Sequence, residues 1–186
     1  MLIRCDLNVP LSDGKLLDDT RIKALQPLVD MCLRQKATIV LMSHFGNPTA
    51  VDPAYSIKQI IPFLPWPVTV LSDLTRPAND GQIYLLENLR FFPGEKNKDP
   101  HFAQQLANMG DIYVNEAFSV CHRDHTSITL LPGLLPAYAG PHLAKEVAVM
   151  KHIVNLKIHP IVFVVGGAKT ATKMPYLEPI LKHVDY

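Results

Sequence analysis

Leu2-Ile3-Arg4-Cys5-Asp6-Leu7-Asn8 is the stretch on which the fold turns. Its apolar start reads as a buried strand, and Asp6 and Asn8 mark where that strand leaves the core. Asp18-Asp19-Thr20 then supplies side chains that begin a helix. The helix places Ile22, Leu25, Leu28, Val29 and Cys32 on one apolar stripe, and Pro27 within it predicts a kink. A second apolar, β-branched run follows at residues 38–43. Strand, helix, strand in that order argues for a parallel pair joined by a crossover.

The pattern recurs along the chain. Residues 68–71, 83–86, 112–114 and 161–165 read as further strands. Residues 55–64, 100–109, 141–155 and 171–183 read as further helices, the last interrupted by Pro175 and Pro179. The expectation is an α/β chain with a doubly wound, mostly parallel sheet and helices on both faces. The non-periodic break Leu156-Lys157-Ile158-His159-Pro160 follows the long helix. Beyond it, one strand, a Gly-Gly turn and one helix cannot cover their own apolar faces. Residues 1–140 therefore read as a first domain, 141–159 as a helix and hinge, and 160–186 as the incomplete opening of a second domain. A strand already under way after Met1 also reads as part of a truncated fold. An uncovered strand at 161–165 predicts poor solubility or dimerisation through its edge.

Composition narrows the function. Of 186 residues 48% are hydrophobic, enough for a core. Eighteen Lys and Arg against 17 Asp and Glu give a net charge of +1. That balance, with no basic stripe, argues against a nucleic-acid partner. Cys5, Cys32 and Cys121 have no metal-ligand spacing and read as reduced thiols of a cytoplasmic protein. No run approaches the roughly 18 apolar residues of a membrane span, and there is no basic-then-apolar leader; no membrane partner is expected.

Ligands of open α/β sheets bind at the carboxyl ends of the strands, and the unusual polar residues fall there. The first strand runs into Asp6 and Asn8, the second into Ser43-His44-Phe45-Gly46-Asn47, and the fourth into Glu87-Asn88-Leu89-Arg90. The fifth runs into Asn115-Glu116 and then His122-Arg123-Asp124-His125, while Arg21 opens the first helix at the same rim. Three arginines and a histidine converging on one cleft suit a small, multiply charged anion, because the guanidinium fork binds phosphate or carboxylate by two bonds. Plainer readings exist for each. Asp6 and Asn8 can cap a turn, His44 can lie on a surface loop, and Arg21 can be a solvated helix residue. Arg90 can pair with Glu87, and His122 with His125 lacks a third metal ligand. Further on, Val165-Gly166-Gly167-Ala168-Lys169 is a strand, Gly turn and helix start that suits a phosphate, with Lys169 and Lys173 as point charges. It lacks the second glycine of a Walker A loop.

Taken in order, six segments resemble the phosphoglycerate kinases. Arg4-Cys5-Asp6-Leu7-Asn8-Val9-Pro10 is similar to the family's R-x-D-[FL]-N-V-P, and Asp19-Thr20-Arg21-Ile22 to D-x-R-I. Ser43-His44-Phe45-Gly46-Asn47-Pro48 resembles S-H-L-G-R-P, and Leu86-Glu87-Asn88-Leu89-Arg90-Phe91 matches L-E-N-x-R-F. Asn115-Glu116-Ala117-Phe118 through His122-Arg123 resembles D-A-F-x-x-x-H-R, and Gly166-Gly167-Ala168-Lys169 matches G-G-[AS]-K. The resemblance implies two doubly wound domains joined by a helix, in a typically monomeric glycolytic enzyme. It implies phosphoryl transfer between 1,3-bisphosphoglycerate and Mg-ADP, giving 3-phosphoglycerate and ATP. By motif, Asp6, Asn8, Arg21, His44, Phe45, Gly46, Asn47, Arg90 and Arg123 would meet 3-phosphoglycerate. Arg21 and Lys169 would be catalytic, stabilising the transferring group, and Gly166, Gly167, Lys169 and Lys173 would meet the nucleotide.

Two positions depart from the family's pattern: Glu116 replaces aspartate, and Asn47 stands where the family has arginine. A charge-assisted hydrogen bond contributes about 1.5–3 kcal/mol, so the second change weakens binding roughly ten- to over a hundredfold. Ending at Tyr186, the chain is expected to carry mainly the phosphoglycerate half of the active site and to be inactive alone. The alternative is a non-catalytic anion-binding remnant or interaction module derived from the kinase.

Overall fold

The computed structural model describes residues 1–155, 159–164 and 184–186. Two compact units divide the chain, Met1–Ala144 and Lys145–Tyr186. In the first, strand β1 (Leu2–Arg4) leads through a short hairpin of β2 (Leu11–Ser12) and β3 (Lys15–Leu16) into helix α1 (Thr20–Arg34). Strands β4 (Ile39–Met42), β5 (Thr69–Leu71) and β6 (Ile83–Leu86) follow, then helices α2 (Pro93–Lys96) and α3 (Pro100–Ala107). Strand β7 (Tyr113–Asn115), helix α4 (Thr126–Thr129) and strand β8 (Ala137–Ala139) come next, and helix α5 (Pro141–Val154) runs on into the second unit.

Six strands form one sheet in the order β5-β6-β4-β1-β7-β8, every pairing parallel. Successive side chains of a strand face opposite sides, and the two cores divide accordingly. Ile3, Ile39, Leu41, Leu85 and Val114 join α1's Ile22, Leu25, Leu28, Val29 and Cys32 on one face. Leu2, Val40, Met42, Leu86 and Tyr113 meet Phe102 and Leu106 of α3 on the other. Burial on both faces is why β4 reads as an unbroken apolar run. It also pins the register: Leu2 lies opposite Val40 and Tyr113, and Ile3 opposite Leu41 and Val114. From β1 the chain winds one way, to β4 beside it. After β6 it crosses to the other side and lays down β7, so loops diverge at the carboxyl end of β1 and open a crevice there.

The doubly wound parallel sheet is the one expected, with local differences. Asp18 rather than Asp19 accepts the Thr20 N–H at the start of α1 (2.7 Å), and Asp19 pairs with Lys23. The expected helix at 55–64 is a pair of 3₁₀ turns, Pro53–Tyr55 and Ile57–Phe63. Ser56 is extended between them, and Pro62 has no N–H for the α pattern. The fifth expected strand begins one residue late, at Tyr113. Strand β8 escapes a hydrophobic reading because all three of its residues are exposed, Tyr138 by 61%.

In the second unit, the described part of the strand expected at 161–165, residues 161–164, forms no sheet pairing and is left uncovered. The Ile161 N–H bonds the Asp185 carboxylate (2.7 Å), and the Phe163 N–H bonds the Tyr186 carbonyl (2.8 Å). Val164 is 87% exposed. Val165, the Gly-Gly turn, Lys169, Lys173 and the helix expected at 171–183 lie outside the described residues.

Candidate functional site

The loop after β1 ties the crevice together through Asp6. One carboxylate oxygen accepts from Arg21 Nη1 (2.8 Å) and from the Asn8 N–H (3.0 Å); the other accepts from the Ser119 hydroxyl. Arg21 Nη1 also donates to the Asn8 carbonyl (2.7 Å). Asp6 thus caps its own turn, as the plain reading has it, and also holds Arg21 at the rim. Arg21 Nε and Nη2 have no hydrogen-bond partner among the described residues.

The loop after β4 is built round a left-handed residue, Gly46 (φ 62°). Its N–H donates to Asn8 Oδ1 (2.8 Å), and its carbonyl accepts from Arg90 Nη1. Buried Asn88 clamps the neighbouring backbone. Its Oδ1 accepts from the Phe45 N–H (3.2 Å) and the Arg90 N–H (3.0 Å), while Nδ2 donates to the Phe45 carbonyl (2.7 Å). Arg90 does not pair with Glu87, whose carboxylate takes the Ser56 hydroxyl and the Ile57 and Asn88 N–H groups, each at 2.8 Å. Arg90 Nε is buried without a partner among the described residues.

Asp6, Asn8, Arg21, His44, Asn47, Arg90, Lys96, Ser119, Val120, His122, Arg123 and His125 line one cavity of about 520 Å³. Of the nine residues that the resemblance assigns to 3-phosphoglycerate, seven line it; Phe45 packs in the core, and Gly46 contributes backbone to Asn8 and Arg90. Four cations, Arg21, Arg90, Lys96 and Arg123, face one carboxylate, Asp6. The field acts on the histidines. Burial and then the guanidinium charges of Arg4 and Arg90 pull His44 down to about 3. Burial followed by Arg90 and Arg4 pulls His125 down to about 4. Burial and the neighbouring Arg123 also lower Arg90 itself. Both rings are therefore neutral at pH 7, and the space between them favours negative charge. No group of three or more His, Cys, Asp or Glu is placed to hold a metal among the described residues.

Sequence reasoning missed Arg4, Lys96, Ser119 and the Glu95–Ser127 pair behind the cavity. Arg4 left a signal: a cation inside an apolar strand demands partners. Lys96 and Ser119 left none: Lys96 ends the short helix α2, and Ser119 lies in a 3₁₀ turn at Phe118–Val120.

A protein-family model described as phosphoglycerate kinase matches residues 1–186. The chain belongs to the phosphoglycerate kinase family. The phosphoglycerate kinase of Wolbachia sp. subsp. Drosophila simulans (strain wRi) is 41% identical over 198 residues, covering 100% of this chain and 50% of that relative. That of Agrobacterium fabrum is 40% identical with the same coverage. The solved phosphoglycerate kinase structure from Coxiella burnetii superposes with a TM-score of 0.87 at 34% identity, over 99% of this chain and 49% of that one. The Pyrococcus horikoshii OT3 structure gives 0.83 at 28% identity, over 97% and 49%. The chain spans about half the length of the phosphoglycerate kinases it matches.

Proposed function

We propose that the chain provides the 3-phosphoglycerate-binding part of a phosphoglycerate kinase, which transfers a phosphoryl group between 1,3-bisphosphoglycerate and ADP. The observation that carries this is the convergence of Arg21, Arg90, Lys96 and Arg123 on a cavity of about 520 Å³ at the sheet's switch point. That volume lies within the roughly 300–1,000 Å³ of small-molecule sites. Forked Arg90 and Arg123 meet the substrate's phosphate and carboxylate. Asn8, His44 and Asn47 supply neutral hydrogen-bonding groups, and Asp6 orients Arg21 and accepts from a hydroxyl. Phe45 and Gly46 act through the backbone that shapes the loop. Arg21 keeps Nε and Nη2 for the transferring group, whose reaction asks a protein for placement and charge more than for covalent chemistry.

In this reading ATP or ADP enters with Mg²⁺, which supplies charge neutralisation on the phosphates. Gly166, Gly167, Lys169 and Lys173, the residues assigned to the nucleotide, lie outside the described residues. Residues 1–140 form the substrate domain, 141–159 the connecting helix and hinge, and 160–186 the beginning of the nucleotide domain. Three free thiols fit a reducing, cytoplasmic setting. Among the described residues no helix is long and apolar enough to cross a membrane.

Titration calorimetry tests the binding reading. 3-Phosphoglycerate is expected to bind the 186-residue chain, and Arg90→Met to abolish the heat; a folded chain that takes up none overturns the proposal. The isolated 186 residues are expected to form no ATP from 1,3-bisphosphoglycerate and ADP, and measurable ATP overturns that part. Asn47 favours a second reading, a non-catalytic anion-binding module derived from the kinase. It predicts no discrimination between 3-phosphoglycerate and inorganic phosphate in the same titration.

A further inference from the structure

We propose that Arg4, which does not line the cavity, is a positioning residue for His44. Its guanidinium holds the imidazole as the tautomer protonated on Nε2, so that His44 enters the anion site as a neutral N–H donor. The inference rests on the reading of the cavity as an anion site.

Hydrogen-bond direction carries it. Arg4 is 1% exposed, and its three donor nitrogens each have a partner. Nε donates to Ser127 Oγ (3.0 Å), Nη1 to the Cys5 carbonyl (2.5 Å), and Nη2 lies 3.4 Å from His44 Nδ1. A guanidinium has no lone pair to offer. His44 Nδ1 must therefore be the acceptor, and the ring's one proton sits on Nε2. An imidazolium, or the other tautomer, would set two N–H donors against each other in a buried place.

The far end of the chain is fixed as firmly. Ser127 Oγ donates to Glu95 Oε1 (2.7 Å), and the Ser127 N–H donates to Oε2 (3.0 Å). Arg4 Nε only donates, so Ser127 Oγ accepts there with one lone pair and gives its hydrogen to the Glu95 carboxylate. The Tyr113 hydroxyl on the Ser127 carbonyl (2.8 Å) holds this residue in place. Donation thus starts at Arg4 and runs both ways, through Ser127 to Glu95 and directly to His44.

The other face of His44 is the site. The ring lines the cavity, and Nε2 has no hydrogen-bond partner among the described residues. A protonated Nε2 presents hydrogen to a phosphate or carboxylate oxygen, whereas a bare Nε2 presents a lone pair to the same anion. The low basicity of His44, caused by burial and by Arg4 and Arg90, keeps the ring in the neutral form that the geometry requires.

The test is ¹⁵N NMR of the full 186-residue chain with labelled histidine, the His44 signals being assigned by their loss in His44→Gln. The wild-type ring is expected to show an unprotonated Nδ1 and a protonated Nε2, unchanged between pH 8 and pH 5. In Arg4→Met the ring becomes a mixture of tautomers and titrates, and affinity for 3-phosphoglycerate falls about tenfold or more. Arg4→Lys, which keeps a donor, restores part of the tautomer preference. The wild-type spectrum is decisive even where a variant fails to fold: a protonated Nδ1 overturns the positioning by Arg4 whatever the chain binds. The expected tautomer in a folded chain that does not take up 3-phosphoglycerate overturns the reading of the site instead.

Discussion

Replacing Gly46 by alanine tests how the site is held. Gly46 is left-handed, and a Cβ built there falls 2.1 Å from Tyr55 Cδ1 and 2.4 Å from Cε1. Gly14 is the control, with φ 71° and nothing within 4 Å of its Cβ. A left-handed alanine costs roughly 1–2 kcal/mol, which is all that Gly14→Ala should lose. Gly46→Ala must also displace the tyrosine ring, an overpacking of roughly 1–3 kcal/mol. Tyr55 is partly exposed and can swing, so the lower half applies and the total is about 2–4 kcal/mol. Urea unfolding followed by Trp66 fluorescence measures it. Trp66 is the chain's one tryptophan, 8% exposed, with its indole N–H on Asp30 (2.8 Å). Adding Tyr55→Ala should recover the ring's share as a coupling of about 1–2 kcal/mol in a double-mutant cycle. Equal losses for Gly46→Ala and Gly14→Ala, or an additive cycle, would refute the reasoning. Because Gly46 carries Asn8 and Arg90, the same variant should weaken 3-phosphoglycerate binding, while Gly14→Ala should not.

Three further outcomes follow from the same geometry. His44 and His125 bind protons near pH 3 and 4 when folded but near 6.5 when unfolded. Below pH 6.5 the unfolded chain therefore holds more protons, and stability falls by about 1.4 kcal/mol per pH unit for each ring. Unfolding at pH 7 and pH 5 measures the slope; His44→Gln should flatten it, and a flat wild-type profile contradicts the burial of both rings. Glu116 accepts from the His142 and Leu143 N–H groups (3.0 and 3.2 Å) and so caps α5. Glu116→Ala should cost about 1–2 kcal/mol in chemical denaturation, and no loss would remove that role. Asn47→Arg should tighten 3-phosphoglycerate binding about tenfold or more by calorimetry; unchanged affinity would mean that this side chain stays out of the site.

The parallel sheet was legible because two-sided burial leaves strong marks. Ile39–Met42 is apolar throughout, with alternate residues serving opposite cores, and α1 shows its five buried residues at helical spacing. Strand β8 was not legible, since an exposed edge held by backbone pairing with β7 needs no apolar pattern. Ile161–Val164 misled for the opposite reason. Its apolar residues suggest a strand, yet two of its N–H groups bond the Asp185 side chain and the Tyr186 carbonyl instead of a sheet neighbour. At the site, strand-end placement found the cavity's arginines and His44. The chain of donors behind His44 was invisible, because Arg4, Glu95 and Ser127 are separated by 91 and 32 residues along the sequence and meet only in the fold.

The measurement that tests the account most directly is an amide NMR titration of the labelled chain with 3-phosphoglycerate. The account predicts dispersed peaks, with shifts concentrated at Asp6, Asn8, Arg21, His44, Arg90 and Arg123. Dispersed peaks that stay still at saturating ligand would contradict it.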